Sequence, residues 1–150
     1  MAERSAFVLL GSNVEPERNL VLAARELRAR GVEAFSNVTQ TRAVGAGGQP
    51  DFLNAAARVQ SDLTPEELRA IEAALGRRRG SVKHAPRCID LDLVLFAPPD
   101  PLILTAAHVA VPLADLTPGL AHPVTGETLA SIAARLRVGE PALPRPDLRL

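Results

Sequence analysis

Apolar and polar positions change period several times along the chain, and each change marks an element. Residues 6–10 are a continuous apolar run stopped by Gly11-Ser12-Asn13, the length and ending of a buried strand. Leu20, Ala23, Ala24 and Leu27 then recur at helical spacing, with Arg18, Arg25 and Arg28 on the other face. Pro16 suits the first turn of that helix, and Gly31 ends it near Arg30. Residues 32–41 predict a strand, since Phe35, Val38 and Thr39 favour extended backbone. Residues 52–60 predict another, although alanines weaken it. Between these strands lies a loop with Gly45, Gly47 and Gly48, whose backbone freedom suits close approach of a ligand. Thr64-Pro65-Glu66-Glu67 reads as a helix start, with Thr64 as cap and Glu67 closing a capping box. Leu68, Ile71, Ala74 and Leu75 form its apolar stripe, and Gly76 ends it. Residues 89–96 alternate strongly, as a strand does, and Ile89, Leu91, Leu93 and Leu95 form its core face.

The resulting order, β-α-β-β-α-β, predicts an α+β fold with a ferredoxin-like core, an antiparallel sheet carrying both helices on one face. Beyond it, Pro98, Pro99 and Pro101 predict a loop, residues 113–116 one short helical turn, and residues 126–137 a helix. One domain is expected over 1–138. The last twelve residues, 139–150, contain three prolines and predict a poorly ordered tail.

Composition narrows the function. The chain has 150 residues, 47% of them hydrophobic, and seventeen cations balance seventeen acids. Zero net charge argues against a nucleic-acid coat or a membrane-surface binder. The single cysteine, Cys88, excludes an internal disulfide and a multi-cysteine zinc site, and its place at a strand start reads as a buried small hydrophobe. No apolar run approaches the ~18 residues of a membrane span, and no signal peptide is evident, so a cytoplasmic monomer is expected. Trp and Tyr are absent, and sixteen of the seventeen cations are Arg, with Lys83 the exception.

Three features carry chemistry. Asp90-Leu91-Asp92 sets two carboxylates two residues apart, on one face of a strand. Paired carboxylates suit Mg²⁺ that also holds phosphates; the alternative is two solvated aspartates on an open sheet face. Just before them, residues 77–87 carry Arg77, Arg78, Arg79, Lys83 and Arg87, with His84 among them and no acid. Arginine forks match phosphate oxygens, although a basic surface loop would have the same composition. Finally, Phe52 and Asn54 share a strand face: a ring for stacking and an amide that reads a heterocycle edge, or else a core Phe and a turn Asn. Glu72, one residue past inward Ile71, is either a site acid or a solvated helix residue. An RNA-binding module on the same topology is disfavoured, because the sheet face shows carboxylates rather than stacked aromatics.

Taken in order, Leu10-Gly11-Ser12-Asn13, Gln49-Pro50-Asp51-Phe52-Leu53-Asn54-Ala55, Glu72 with Gly76-Arg77, and Pro86-Arg87-Cys88-Ile89-Asp90-Leu91-Asp92 resemble the 6-hydroxymethyl-7,8-dihydropterin pyrophosphokinase family of folate biosynthesis. The resemblance runs over roughly residues 5–97 and resumes around 112–120. It implies transfer of pyrophosphate from ATP to the pterin hydroxymethyl group, leaving AMP. By that resemblance Asp90 and Asp92 would hold two Mg²⁺ ions, Arg77 and Arg87 would clamp phosphates as the catalytic pair, and Arg79 and Glu72 would belong to the ATP side. Thr41, Val44, Phe52 and Asn54 would bind the pterin. The glycine loop and the 77–87 loop would close over both substrates. The chain departs from the family pattern in two places. His84 stands where the family has Trp, and residues 102–113 are shortened and lack the family's Pro-His and Arg-x-Phe, with His108 near the second stacking position and Ala106 near that arginine. A non-catalytic or substrate-shifted homologue that binds nucleotide or pterin is the alternative. His122, before Pro123, reads as structural.

Overall fold

The computed structural model describes residues 6–43, 48–59, 63–76 and 88–150. Its elements are β1 (Ala6–Ser12), α1 (Pro16–Ala29), β2 (Ala34–Phe35), β3 (Thr39–Thr41), β4 (Phe52–Val59), α2 (Pro65–Ala74), β5 (Asp90–Leu95), α3 (Leu102–Thr105), α4 (Ala107–Leu116), α5 (Leu129–Arg137) and β6 (Leu143–Pro144). The sheet is antiparallel, in the order β5-β1-β4-β3-β6, with β2 also pairing β4. This is the α+β arrangement expected from the β-α-β-β-α-β pattern.

Strand alternation sends side chains into two separate cores. Val8, Leu10, Leu53, Ala55, Ala57 and Leu91 pack beneath α1 and α2 with Leu20, Leu27, Leu68 and Ile71. Phe7, Leu9, Ala56 and Val94 face the other way and meet Ile103, Val109, Leu113 and Ile132 from α3, α4 and α5. The C-terminal helices therefore cover part of the sheet face that a bare ferredoxin-like core leaves open. Double coverage also accounts for the alanines of β4. Ala55, Ala56 and Ala57 are fully buried, and their small side chains let helices approach this central strand from both sides.

Local signals were realised where they are strongest. The capping box at the start of α2 is complete: Thr64 N–H donates to Glu67 Oε2 at 3.0 Å, and Glu67 N–H donates to Thr64 Oγ1 at 3.2 Å. Thr64→Ala is expected to cost about 1 kcal/mol. In a domain of this size that is a fall of roughly 2–4 °C in Tm, read by thermal unfolding.

Four expectations need correction. The strand predicted over 32–41 is two short strands. At the break Ser36 takes over pairing with β4: its N–H donates to the Ala56 carbonyl and its Oγ accepts from Ala56 N–H, both at 2.8 Å. The helical turn predicted at 113–116 is the end of α4, ten residues long, which contains Pro112 and has six buried residues. The helix predicted from residue 126 begins at Leu129, where Thr128 Oγ1 accepts from Ser131 N–H. Leu95 leaves the core face and is 41% exposed, while Val94 and Phe96 on the aspartate face are buried. Residues 139–150 follow α5. They return to the sheet, where β6 pairs with β3, and Leu148 and Leu150 pack against the α1–α2 core. No helix among the described residues is long and apolar enough to cross a membrane.

Candidate active site

The register brings five of the sequence-predicted residues, Asp90, Asp92, Asn54, Phe52 and Thr41, onto one face, at the end the C-terminal helices leave open. Gly11 of β1 pairs with Asp90 of β5 on one side and Asn54 of β4 on the other. Asn54 in turn pairs with Thr39 of β3, so Asp90, Gly11, Asn54 and Thr39 form one row across the sheet. In antiparallel pairing, opposed residues project to the same face. Asp92, two residues along β5, stands opposite Leu9, while Phe52 pairs with Thr41. Asp92 is exposed and Asp90 half-buried. Farther along the same face, Val94 and Phe96 disappear under the helices. The carboxylates thus sit where helical cover ends, not in the middle of an open sheet.

Gly11 makes the floor flat. A Cβ placed there would lie 3.4 Å from Asn54 Oδ1 and 3.8 Å from Phe52 Cδ1. The glycine therefore leaves room directly between the carboxylate strand and the amide–ring pair. Asn54 is 3% exposed, and its Nδ2 donates to Thr41 Oγ1 at 2.8 Å. That bond fixes which end of the amide is which: Oδ1 lies toward the glycine floor and Nδ2 toward β3. Opposite Asn54, the buried Thr39 Oγ1 has no hydrogen-bond partner among the described residues. A buried hydroxyl left unmade is costly, so the pocket retains capacity for a polar ligand or a water.

Two braces hold this row in place. Glu72 on α2 is 1% exposed, and its Oε2 accepts from Leu91 N–H, between the two aspartates, at 2.8 Å. Leu91 lies on the edge strand of the described sheet, so the carboxylate satisfies a backbone donor that no described strand meets. Glu72 belongs behind the aspartates, on the helix side of the sheet. At the top of β1, Ser12 Oγ donates to the Cys88 carbonyl and Asn13 Nδ2 to the Pro50 carbonyl (3.3 Å) and Gln49 Oε1 (3.4 Å). Ser12 and Asn13 are buried, at 0% and 2%. Their role was visible in the chain only as a turn, because their partners are distant in sequence. Cys88 itself is half-buried against the α1–α2 core, as a small hydrophobe.

The two histidines separate. His122 is buried, and its Nδ1 accepts from Val124 N–H (3.1 Å) and Thr125 N–H (3.2 Å), so it shapes a turn. His108 lies on α4, half-buried, near enough to Asp90 and Glu140 for both charges to act on it. Burial lowers its pKa, and the two carboxylates oppose that shift. It belongs to a helix beside the site, not to a loop. Val44, Arg77, Arg78, Arg79, Lys83, His84 and Arg87 lie outside the described residues. Among the described residues no three His, Cys, Asp or Glu side chains converge as a metal cage. Asp90 and Asp92 are nonetheless an all-oxygen donor pair at a solvent-open edge. That suits a hard cation which keeps waters and takes its other ligands from a phosphate.

The fold and site define an α+β protein whose antiparallel sheet carries two carboxylates, Asp90 and Asp92, in line with a buried amide, Asn54, and a half-buried ring, Phe52. Comparison with known proteins agrees with that class. The profile of the 7,8-dihydro-6-hydroxymethylpterin-pyrophosphokinase family matches residues 7–118. The folic acid synthesis protein fol1 of Pneumocystis carinii is 34% identical over 144 residues, 85% of this chain and 19% of that protein. The 2-amino-4-hydroxy-6-hydroxymethyldihydropteridine pyrophosphokinase of Pseudomonas aeruginosa is 32% identical over 142 residues, 78% of this chain and 83% of that protein. The protein of the same name from Synechocystis is 34% identical over 145 residues, 85% of this chain and 73% of that protein. The chain thus spans a small part of the fungal relative and most of the two bacterial ones. It belongs to the 7,8-dihydro-6-hydroxymethylpterin-pyrophosphokinase family.

Proposed function

We propose that the chain transfers pyrophosphate from ATP to the hydroxymethyl group of 6-hydroxymethyl-7,8-dihydropterin, yielding AMP and the pterin diphosphate. The observation that carries this reading is the single row Asp90–Gly11–Asn54, with Asp92 and Phe52 on the same face. Asp90 and Asn54 are separated by two strand spacings, about 10 Å, which suits a phosphate centre on one side and a bicyclic ring on the other. Asn54, held by Thr41, reads the heterocycle edge, and Phe52 takes one ring face. Asp90 and Asp92 would hold the Mg²⁺ that accompanies ATP, two ions by the family resemblance. Bound Mg²⁺ supplies neutralisation of phosphate charge and activation of the attacking hydroxyl. By the family resemblance Arg77 and Arg87 would clamp the transferring group with Arg79 assisting, and Val44 would bind the pterin; these four lie outside the described residues. Glu72 contributes to the nucleotide side through β5, by holding the strand that bears both aspartates. His108, beside Asp90, takes the wall where the family has its second aromatic.

Incubation with Mg-ATP and the hydroxymethyl-dihydropterin should release AMP, and EDTA should stop it. No AMP at saturating substrates would leave the alternative, a homologue that binds nucleotide or pterin without transfer. Gly11→Val tests the floor. Its branched side chain would stand against Asn54 Oδ1 and Phe52, so the KM for the pterin should rise about tenfold or more, with the KM for ATP nearly unchanged. Equal effects on both substrates would remove Gly11 from the pterin pocket.

A further inference from the structure

The last twelve residues form a strap along the outer edge of the sheet, and its fastener touches neither substrate position. Arg145 N–H donates to the Val38 carbonyl at 2.9 Å, continuing the β3–β6 pairing past Pro144. The guanidinium then spreads over three elements. It holds Asp147 with Nε and Nη2 at 2.9 and 2.8 Å, reaches Glu17 in the first turn of α1 at 3.3 Å, and donates to Gln40 Oε1 of β3 at 3.3 Å. Gln40 passes the contact on, its Nε2 donating to Asp51 Oδ2 at 3.0 Å. Gln40 lies between Thr39 and Thr41, and Asp51 immediately precedes Phe52. The chain of contacts therefore ends on the two strand ends that carry Thr41, Asn54 and Phe52.

We infer that the strap, fastened by Arg145, positions the β3–β4 wall of the pocket and so sets affinity for the flat heterocyclic substrate. Arg145 is a positioning residue for that substrate. The inference rests on the pterin reading given above. Three features support it. β3 is only three residues long and would otherwise be an edge strand, too short to hold its own geometry. Exposed ion pairs contribute little to global stability, so a four-partner fastener on the surface points to local geometry instead. The Gln40 amide is oriented from both sides, oxygen to Arg145 and nitrogen to Asp51, so loss of either contact frees it.

The test uses the full chain as wild type, Arg145→Met, Arg145→Lys and Gln40→Leu. Arg145→Met should raise the KM for the dihydropterin about tenfold, leaving kcat and the KM for ATP within twofold. Arg145→Lys should recover part of that loss, because it keeps the charge but not the fork. Gln40→Leu should reproduce the effect and add little when combined with Arg145→Met. Amide hydrogen exchange supplies a readout independent of substrate. In Arg145→Met, exchange should quicken about tenfold at residues 40–42 and 49–53 and stay unchanged at 90–95. Unchanged exchange at 40–42 and 49–53 would overturn the inference, as would both KM values rising together. If Arg145→Met fails to fold, Gln40→Leu alone decides by the same two readouts. A wild-type chain that makes no AMP would sink the pterin reading, and the exchange result would then decide the strap by itself.

Discussion

Asp92→Ala is expected to reduce AMP formation at least about a thousandfold while leaving the fold intact. Metal ions on a transferring phosphate supply several kcal/mol of charge stabilisation, and each 1.36 kcal/mol is a factor of ten in rate. Asp92 is exposed on β5 and opposes Leu9, so its removal empties no core. Surface substitutions of this kind usually stay within about 0.5 kcal/mol of the parent. The separation of the two quantities is the content of the prediction. Turnover should fall to background in a coupled AMP assay, and Tm should move by no more than about 2 °C. Asp90→Ala should behave alike in rate, with a slightly larger effect on Tm because Asp90 is half-buried. Residual turnover within tenfold of wild type would refute the metal assignment.

Glu72→Ala should give the opposite pattern, a loss first of stability and then of activity. The side chain is buried, and the Leu91 N–H that it satisfies lies on an edge strand. A hydrogen bond to a charged acceptor contributes about 1.5–3 kcal/mol, and the donor left behind loses its partner. The expected cost is about 2–3 kcal/mol, roughly 5–10 °C in Tm for a chain of this length. Glu72→Gln keeps an acceptor oxygen in place and should recover a good part of it. Below the melting transition the KM for ATP should change less than kcat, because the strand bearing Asp90 and Asp92 loosens. A Glu72→Ala protein with unchanged Tm and a large rise in the KM for ATP would instead make Glu72 a direct nucleotide contact.

The two aspartates and Glu72 differ in how far the chain itself reveals them. Asp90 and Asp92 are two apart on a strand, and Ile89, Leu91 and Leu93 alternate with them, so period alone sets them on one face. Glu72 is simply a charged residue beside an inward Ile71, and only the packing of α2 against β5 shows what it holds. Asn54 and Phe52 were likewise legible as a pair, but the glycine floor between them and Asp90 needed the register of β1. The 77–87 arginines, Val44 and their roles rest on the resemblance, since they lie outside the described residues.

By itself the sequence determined whatever depends on neighbours within a few positions. The capping box at Thr64, the glycines that end α1 and α2, the apolar run of β1 and the alternation in β5 all belong here, because their signals are local. The α+β order follows from them. Tertiary structure alone decided three other features. Helix α4 is apolar on nearly every side and contains Pro112, so it lacks the polar stripe that marks a helix. Burial between β4 and α5 makes it helical. Ser36 splits a predicted strand because its hydroxyl finds Ala56 across the sheet. The Pro-rich C-terminus has few local reasons to order. It becomes a strap because Val38, Gln40 and Glu17, more than a hundred residues away, offer partners that only the finished sheet and α1 bring to one edge.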